Sequence, residues 1–331
     1  MSRGAESTYL RALITRFPDQ PALTLAKMAY AERPEGWSSL EACRSMVRQI
    51  LGINGKKKAK DKTLFRKPRK AGWSDVIPES LMAAGHWKAV EIAGPARAIV
   101  LSDIHIPFHD SQAIELALQY GVDNRADLIL LNGDIIDCYS LSRWETDPKL
   151  RDFPAEVRAT KHFLTGLRGR FPHAQIVFKT GNHEERLLRY LRIKAPELLG
   201  LPEFDWANVL DLKKLDIQLV DEKRPIRFGK LHIIHGNEYV FNISNPVNPA
   251  RGLYLRAKVH AICGHFHQSA SHSEKDLKGD VISTWSTGCL CDMTPEWLPL
   301  NKWNSGFAFI VVDKKGGFRV DNLRIVDGEI W

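Results

Sequence analysis

Long hydrophobic runs are missing from this sequence. No stretch of about 18 apolar residues occurs in its 331 residues. The N-terminus also lacks an apolar segment behind a basic start, which a secretory signal would need. We therefore expect no membrane association and predict an intracellular, cytoplasmic protein.

Cysteine is scarce as well. The five cysteines are odd in number and lack the spacing of a disulfide framework, which favours reduced thiols in a cytosolic setting. Cys289 and Cys291 are close enough in sequence to bind a metal together, but no second cysteine pair accompanies them. Buried thiols are the better prediction for this pair.

Acidic residues are outnumbered by basic ones. The chain has 47 Lys and Arg against 39 Asp and Glu, a formal charge of +8 and a pI near 9.2. Such an excess favours an anionic partner, nucleic acid first, although net charge concerns association and not fold. The 44% hydrophobic content is ordinary for a soluble protein, and the length suits one large domain with a smaller appendage.

The first 53 residues predict three short helices. Ser38 or Ser39 can cap the third, and Gly52 ends it. Arg44 and Arg48 are four residues apart and therefore share one face of this helix. Its apolar stripe comprises Leu40, Cys43, Val47 and Ile50. Two interpretations remain open: a helix-turn-helix that presents arginines to DNA, or a small helical bundle with a solvated charged face.

Residues 54–96 predict a basic linker and a lead-in to the larger domain. Between Lys56 and Lys70 the only acid is Asp61, so the block repels itself and lacks core-forming residues. Next to a DNA-binding helix this segment would neutralise phosphates in a salt-dependent way; otherwise it only aids solubility. We thus predict domains over residues 1–53 and 97–331, with any DNA contact through residues 1–70.

From residue 97 onward the pattern alternates between buried strands and helices. Apolar runs at 98–102, 127–132 and 175–179, with helices between them, predict a mainly parallel sheet with ligands at the carboxyl ends of its strands. Later runs separated by hairpin signals predict a second, mixed or antiparallel sheet. We predict an α/β fold with two sheets face to face and helices outside, plus helical residues 184–215.

Five polar clusters follow predicted strands. We expect an extended backbone to point Asp103 and His105 to one side, and His265 and His267 likewise. A single histidine after a strand is usually a satisfied polar residue, but five clusters in order predict one site with two metal ions. The clusters are Asp103-Ile104-His105, Gly133-Asp134-Ile135-Ile136-Asp137, Gly181-Asn182-His183-Glu184, His235-Gly236 and Gly264-His265-Phe266-His267.

This ordered set resembles the calcineurin-like metallophosphoesterase superfamily, whose pattern is D-x-H, G-D-x-x-D, G-N-H-[DE], H and G-H-x-H. The resemblance implies a two-layer β sandwich flanked by helices, the metallo-dependent phosphatase fold, and a dinuclear metal centre bridged by Asp134. It implies one metal held by Asp103, His105, Asp134 and His267, and another held by Asp134, Asn182, His235 and His265.

The same resemblance implies that His183 is not a ligand but contacts the phosphate and can protonate the departing oxygen. Asp137 and Glu184 would orient the ligands or His183 as outer carboxylates. Two cations about 3.5 to 4 Å apart neutralise the phosphate oxygens and lower the pKa of a shared water. A donor set of nitrogen and oxygen accepts Mn²⁺, our first expectation, and also Fe²⁺, Zn²⁺ or Ni²⁺.

Departures from the family pattern narrow the function. Protein Ser/Thr phosphatases carry Arg and Gly where Cys138 and Tyr139 stand here, and they lack the G-H-x-H ending, so that class is disfavoured. The G-H-x-H ending looks like that of phosphodiesterases and DNA-repair exonucleases. The N-terminal segment is similar to helix-turn-helix segments fused to phage-encoded metallophosphoesterases.

The sequence thus predicts a phosphodiesterase or nuclease-like hydrolase that acts on DNA or is targeted to it, in the host cell of a phage. One alternative is a phosphomonoesterase or nucleotide phosphatase with no DNA role. The other is a DNA-binding scaffold with a structural metal site. Arg186 and Asn237, next to predicted ligands, could bind phosphate, and Arg143 and Trp144 could form a substrate wall.

Overall fold

The computed structural model describes residues 3–52, 77, 88–94, 96–221, 223–239, 247–295 and 297–331. The chain divides into two compact units, Met1–Gly85 and His86–Trp331. The basic block between residues 56 and 70, predicted to be a linker, lies outside the described residues. The domain boundaries expected from the sequence, after residues 53 and 96, therefore stay predictions.

The first unit contains three helices, as the sequence predicts. They are α1 (Arg3–Arg16), α2 (Ala22–Glu32) and α3 (Leu40–Ile50), with a short 3-10 turn at Pro34–Gly36. Ser39 caps α3, because its hydroxyl accepts a hydrogen bond from the Ala42 N–H at 3.1 Å. Cys43, Val47 and Ile50 are buried against α1 and α2, which leaves the arginines of α3 on another face.

The second unit has strands and helices in alternation. Its described helices are α4 (Ser111–Asp123), α5 (Phe153–Arg170), α6 (Glu185–Lys194), α7 (Trp206–Val209) and α8 (Pro249–Ala257). Its described strands are β1 (Val90–Ile92), β2 (Ala96–Leu101), β3 (Leu128–Asn132), β4 (Gln175–Lys179), β5 (Ile217–Val220), β6 (Ile226–Phe228), β7 (Leu231–Ile233), β8 (Ala261–Cys263), β9 (Ala270–Lys275), β10 (Val281–Ser286), β11 (Gly306–Val312), β12 (Phe318–Val326) and β13 (Glu329–Ile330).

These strands form two mixed sheets. The seven-stranded sheet has the order β13-β12-β11-β2-β3-β4-β5, in which β2 to β5 are parallel and β11 and β12 are antiparallel additions. The six-stranded sheet has the order β1-β6-β7-β8-β10-β9, with β7, β8 and β10 parallel. The carboxyl ends of the parallel strands in each sheet are where ligand-binding loops are expected.

Side-chain alternation along β2 explains the layering. Ile99 and Leu101 belong to the core formed with helices α4, α5 and α6, whereas Ala98 and Val100 belong to the core formed with strands of the six-stranded sheet. A strand buried on both faces must be apolar throughout, which is the pattern that the sequence shows at 98–101. The predicted sandwich of two sheets flanked by helices is confirmed.

One sequence expectation is only partly met. Residues 184–215 are not helical throughout: α6 ends at Lys194, and short 3-10 turns at Pro196–Leu198 and Pro202–Phe204 precede the four-residue α7. Each of these turns begins with a proline, which lacks the N–H that a continuing helix needs. Among the described residues, no helix combines the length and the apolar character that membrane crossing requires.

Candidate metal centre

Five strands deliver the predicted ligands to one place. Asp103 follows β2, Asp134 follows β3 and Asn182 follows β4, all in the seven-stranded sheet. His235 follows β7 and His265 follows β8, both in the six-stranded sheet. The loops that leave the carboxyl ends of both sheets therefore build a single site at the edge of the sandwich.

The backbone of these loops is not extended, contrary to the sequence reasoning. Asp103 and His105 have φ of 56° and 55°, and they reach the site through left-handed turns. His265 and His267 lie beyond the end of β8, not within a strand. The predicted ligands with positive φ are Asp103 (56°), His105 (55°), Asp134 (53°), His265 (69°) and His267 (54°). Non-glycine residues in this region are uncommon and cluster at functional sites.

Four side chains form the first half of the centre. The Nε2 atoms of His105 and His267 are 3.2 Å apart, and His267 Nε2 lies 3.3 Å from Asp103 Oδ1. His105 Nε2 is 3.9 Å from Asp134 Oδ2. Donor atoms of Asp103, His105 and Asp134 lie within 4.8 Å of one another, as a cation site requires.

The second half shares Asp134. His235 Nε2 lies 3.3 Å from Asp134 Oδ2 and 3.2 Å from Asn182 Oδ1. Donor atoms of Asp134, His235 and His265 are also within 4.8 Å of one another. The structure thus brings all seven predicted ligands together, with the Asp134 carboxylate common to both halves.

Glycines make this convergence possible. A Cβ on Gly181 would lie 2.6 Å from the Asp134 nitrogen and 2.9 Å from His235 Nε2, so only a hydrogen fits there. Gly133 has φ of +85° and faces the His235 ring. The glycines of the G-D and G-N-H motifs therefore let three strand exits approach one another closely.

His183 lies beside Asp134 and is held by two groups. Its Nδ1 is 2.8 Å from the Asp137 carbonyl oxygen and 3.3 Å from Asp137 Oδ2, so Nδ1–H donates to Asp137. Its Nε2 is 2.9 Å from Arg186 Nη2. A guanidinium can only donate, so Nε2 accepts and the ring is neutral in this arrangement. Arg186 also donates to the Asp137 carbonyl at 3.0 Å.

Asp137 touches two histidines. Its Oδ2 is 2.9 Å from His105 Nδ1, on the ring edge opposite the metal-facing Nε2. Orientation of a metal-binding histidine by a carboxylate is the usual arrangement at such sites. The predicted orienting role of Asp137 is thus supported by contacts to His105 and to His183.

Glu184 acts on backbone, not on the predicted ligand side chains. Its buried carboxylate accepts hydrogen bonds from the N–H groups of Gly181, Asp134, Ile135 and Ile136 at 2.7, 3.0, 2.8 and 3.2 Å. It therefore fixes the loop that carries Asp134 against the loop that carries His183. Among the described residues, the contacts of the Glu184 carboxylate are thus to backbone N–H groups and not to the predicted ligand side chains.

Sequence reasoning missed a buried ion pair behind His235. Glu238 accepts hydrogen bonds from the N–H groups of His235 and Gly236 at 3.0 and 2.7 Å, and its Oε1 lies 2.7 Å from Lys179 Nζ. The Lys179 side chain is fully buried. A lysine directly after the apolar run at 176–178 was the available signal.

Burial and neighbouring charges shift the pKa values of the residues in the centre. Burial alone would raise the pKa of Asp134, but the positive charge of His235, 3.3 Å away, outweighs burial and holds the pKa well below its ordinary value. Burial alone would lower the pKa of His235, but the carboxylates of Asp134 and Asp103 raise it to about 10. Burial, together with the charge of His235, lowers the pKa of His265 to about 4. The Asp134 carboxylate is thus ionised, as metal binding requires.

The donor set fits divalent transition metals. Carboxylate oxygens, imidazole nitrogens and one amide oxygen meet, and the facing Nε2 atoms of His105 and His267 are both aimed at the space beside Asp103. All five cysteines are free and buried. Cys291 Sγ lies 3.8 Å from His267 Nδ1, so the thiol contacts the ring edge that faces away from Asp103.

A family model decides the identification. The model described as calcineurin-like phosphoesterase matches residues 96–282, which is more than half of the chain. The chain belongs to the calcineurin-like phosphoesterase family. As a member, it is a hydrolase of phosphate esters that depends on divalent metal, and the Asp and His clusters described above match this requirement.

Two similar proteins come from phages. The Gene 54 protein of Mycobacterium phage L5 is 28% identical over 253 residues, covering 71% of this chain and 98% of that protein. The Gene 54 protein of Mycobacterium phage D29 is 27% identical over 253 residues, with the same coverage.

Some solved structures are similar to this chain at a low level. A single mutant of Vps29 from Entamoeba histolytica is 13% identical, covers 71% of this chain and 96% of its own, and has a TM-score of 0.36. The phosphoesterase Yfce from E. coli is 12% identical, covers 68% of this chain and 98% of its own, and has a TM-score of 0.33. Similarity at this level says nothing about substrate.

Proposed function

We propose that this metal-dependent hydrolase is a phosphodiesterase or nuclease-like enzyme that is brought to DNA by its N-terminal region, in the host cell of a phage. One observation carries the catalytic part: oxygen and nitrogen donors of six other predicted ligands gather around the Asp134 carboxylate, and His183, bound to Asp137 and Arg186, lies next to them. The similarity to two phage proteins supports the host cell of a phage as the place where the enzyme acts.

Asp103, His105, Asp134 and His267 would hold one cation, and Asp134, Asn182, His235 and His265 the other, with Mn²⁺ as our first expectation. Two such cations neutralise the anionic oxygens of a phosphate ester and activate the attacking nucleophile. Asp137 holds His105 and His183 in the required orientation through their Nδ1 atoms.

His183 is the proton donor to the leaving oxygen in this proposal. Its Nδ1–H is engaged by Asp137, so the transferred proton must reside on Nε2. Burial alone would lower the pKa of His183, but the carboxylates of Asp134 and Asp137 outweigh it and raise the pKa. When a phosphate attracts the Arg186 guanidinium away from Nε2, the ring can take up this proton and pass it on.

The test is diester hydrolysis by the reconstituted protein. Protein stripped with chelator and reloaded with Mn²⁺ should hydrolyse bis-p-nitrophenyl phosphate faster than p-nitrophenyl phosphate. Asp134→Ala should abolish turnover and reduce bound metal, and His183→Ala should lower kcat by about 10²-fold or more without loss of metal. Preference for the monoester would instead favour a phosphomonoesterase or nucleotide phosphatase.

His173→Ala is the matched control, because His173 is exposed and lies outside all five motifs. It should leave turnover unchanged. Activity that survives both Asp134→Ala and His183→Ala, in protein that retains wild-type circular dichroism, would remove the proposed site.

DNA targeting is proposed from charge. Arg44 and Arg48 share one face of α3, and Arg44 pairs with Glu41 at 3.3 Å. The connection between α2 and α3 spans residues 33–39, which is longer than the turn of about three or four residues typical of a helix-turn-helix. The proposal therefore depends on the arginines and on the basic block at 56–70, not on the turn.

Point variants in the full chain test this role. Arg44→Ala/Arg48→Ala should weaken duplex binding uniformly across sequences and make it less salt-dependent, while bis-p-nitrophenyl phosphate hydrolysis stays at the wild-type rate. Lys27→Ala, an exposed cation on α2, is the control. Duplex binding that is the same in all three proteins would remove the arginine face from the proposal.

A further inference from the structure

Arg186, which contacts His183, has two further arginines nearby: Arg189 on the same helix, and Arg143 on the loop that Arg189 contacts. Arg186 and Arg189 are three residues apart on α6 and therefore on one face of that helix. Arg189 Nη2 donates to the Leu141 carbonyl at 3.5 Å, which ties α6 to the loop that carries Arg143. Arg143 stacks on the exposed Trp144, with its guanidinium carbon 4.7 Å from the ring centroid.

The outer two arginines lack acidic partners. Within the described part of the chain, neither Arg143 nor Arg189 forms an ion pair, whereas Arg186 pairs with Asp137. The nearest acid along α6, Glu185, is already engaged by Lys223 Nζ at 3.4 Å and by Asn237 Nδ2 at 3.2 Å. The positive charge here is therefore only partly neutralised, by Asp137 on Arg186 and by the more distant charge of Glu185 on Arg189.

The crowding of like charges has an electrostatic cost. Partial burial, followed by the charges of Arg143 and Arg186, lowers the pKa of Arg189. Like charges brought together near a catalytic site, with no ion pair on the outer two, are typical of anion binding. An anion placed among them would relieve this repulsion and accept forked hydrogen bonds from the guanidiniums.

We propose that Arg143 and Arg189 form a subsite for a second phosphate group, adjacent to the phosphate that is hydrolysed. The inference rests on the proposed function, because Arg186 and the metal centre would hold the reacting phosphate. Arg189 is almost one turn further along α6 than Arg186, about 4.5 Å in axial rise, which suits a contact to a neighbouring phosphate.

The substrate class that follows is a phosphate ester with two or more phosphates in series. Two sources share this chemistry: a nucleic-acid strand and a nucleoside polyphosphate. Trp144 borders the subsite, is exposed, and offers a flat surface on which a base can stack. An isolated diester such as bis-p-nitrophenyl phosphate would not use the subsite.

The experiment compares substrates with and without the second phosphate, using Mn²⁺-loaded full-length protein. The variants are Arg143→Ala/Arg189→Ala and the control Lys194→Ala, which removes a cation from another face of the same helix. We expect the double variant to lose about tenfold or more in kcat/KM for a 5′-phosphorylated dinucleotide relative to the unphosphorylated dinucleotide. Turnover of bis-p-nitrophenyl phosphate should not change.

Two further measurements make the result decisive. Calorimetric binding of inorganic pyrophosphate, relative to inorganic phosphate, should weaken by a similar factor in the double variant, and this readout does not need turnover. A nucleoside triphosphate arm identifies the source: loss confined to the dinucleotide arm supports a nucleic-acid strand, and loss confined to the triphosphate supports a nucleotide.

Equal pyrophosphate affinity and unchanged substrate ratios in wild type and double variant would overturn the subsite. If wild-type protein hydrolyses none of the diesters, the proposed function fails while the pyrophosphate measurement still decides the subsite. Loss of pyrophosphate affinity in Lys194→Ala equal to that in the double variant would also overturn it, because the effect would then be one of general charge.

Discussion

Lys179 and Glu238 form an ion pair that is shielded from solvent, with Nζ 2.7 Å from Oε1, and Glu238 simultaneously binds the backbone of His235. Lys179 Nζ also donates to the Arg224 carbonyl at 3.0 Å. The pair therefore joins the end of β4 to the loop after β7, one from each sheet. It braces the place where both sheets contribute ligands.

Removing one member of this pair should destabilise the protein strongly. Lys179→Met or Glu238→Gln alone leaves a buried charge unpaired, a change that typically costs about 3–5 kcal/mol in the free energy of unfolding. The Lys179→Met/Glu238→Gln double variant should be less destabilised than the sum of the single changes. Urea unfolding of all four proteins without metal measures this coupling, and additive losses would contradict it.

The Glu238 carboxylate should also make the stability of the protein depend on pH in acid. Burial alone would raise the pKa of Glu238, but the charges of Lys179 and His235 outweigh it and hold the pKa below its ordinary value. Such a group contributes stability above its unfolded pKa of about 4.3 and loses it as pH falls through the lower folded value. The stability difference between wild type and Glu238→Gln should therefore shrink below about pH 4, as urea unfolding at several pH values will measure. A difference that is constant with pH would contradict this assignment.

Gly181→Ala should impair metal uptake. The new Cβ would press on the Asp134 backbone and on His235 Nε2, displacing two predicted ligands. Metal content after chelation and reloading should fall well below the wild-type value. Gly166→Ala is the control, because a Cβ on Gly166 of α5 meets nothing within 4 Å; it should keep full metal content and gain up to about 1 kcal/mol in stability. Wild-type metal content in Gly181→Ala would show that the loops can move apart.

The helix cap of α3 predicts a local effect. Ser39→Ala removes the hydroxyl that accepts the Ala42 N–H and should cost about 1 kcal/mol of stability in the N-terminal unit. Phosphodiester hydrolysis should not change, because the metal centre belongs to the other unit. Ser38→Ala is the neighbouring control. Thermal unfolding followed by circular dichroism measures the shift, and an equal shift in both variants would argue against the cap.

Strand exits and ligand types could be read from the sequence because both are local properties. Apolar runs buried on both faces predict the parallel strands, and Asp134 or His235 immediately after such a run predicts convergence at one edge. The family resemblance is confirmed by the family model. The assignment of seven side chains as ligands stays a prediction, now supported by their geometry.

The features of the site that the sequence did not predict depend on contacts between segments that are distant along the chain. Periodicity does not reveal that Glu184 would bind the backbone of residues 134–136, or that Lys179 would meet Glu238, because each contact needs two loops to be folded first. The extended conformation expected around Asp103 was wrong for a related reason. An aspartate adopts a left-handed backbone at a small cost in free energy. The sequence around Asp103 therefore does not distinguish an extended from a left-handed conformation.

The left-handed backbone at three histidine positions sets metal binding against stability. His105, His265 and His267 each occupy a conformation that glycine or asparagine adopts more easily. A descendant that abandoned hydrolysis would be free to accept those substitutions and relax its loops. Glycine or asparagine at these positions would therefore indicate a homologue that has lost hydrolytic activity but retains the two-sheet fold.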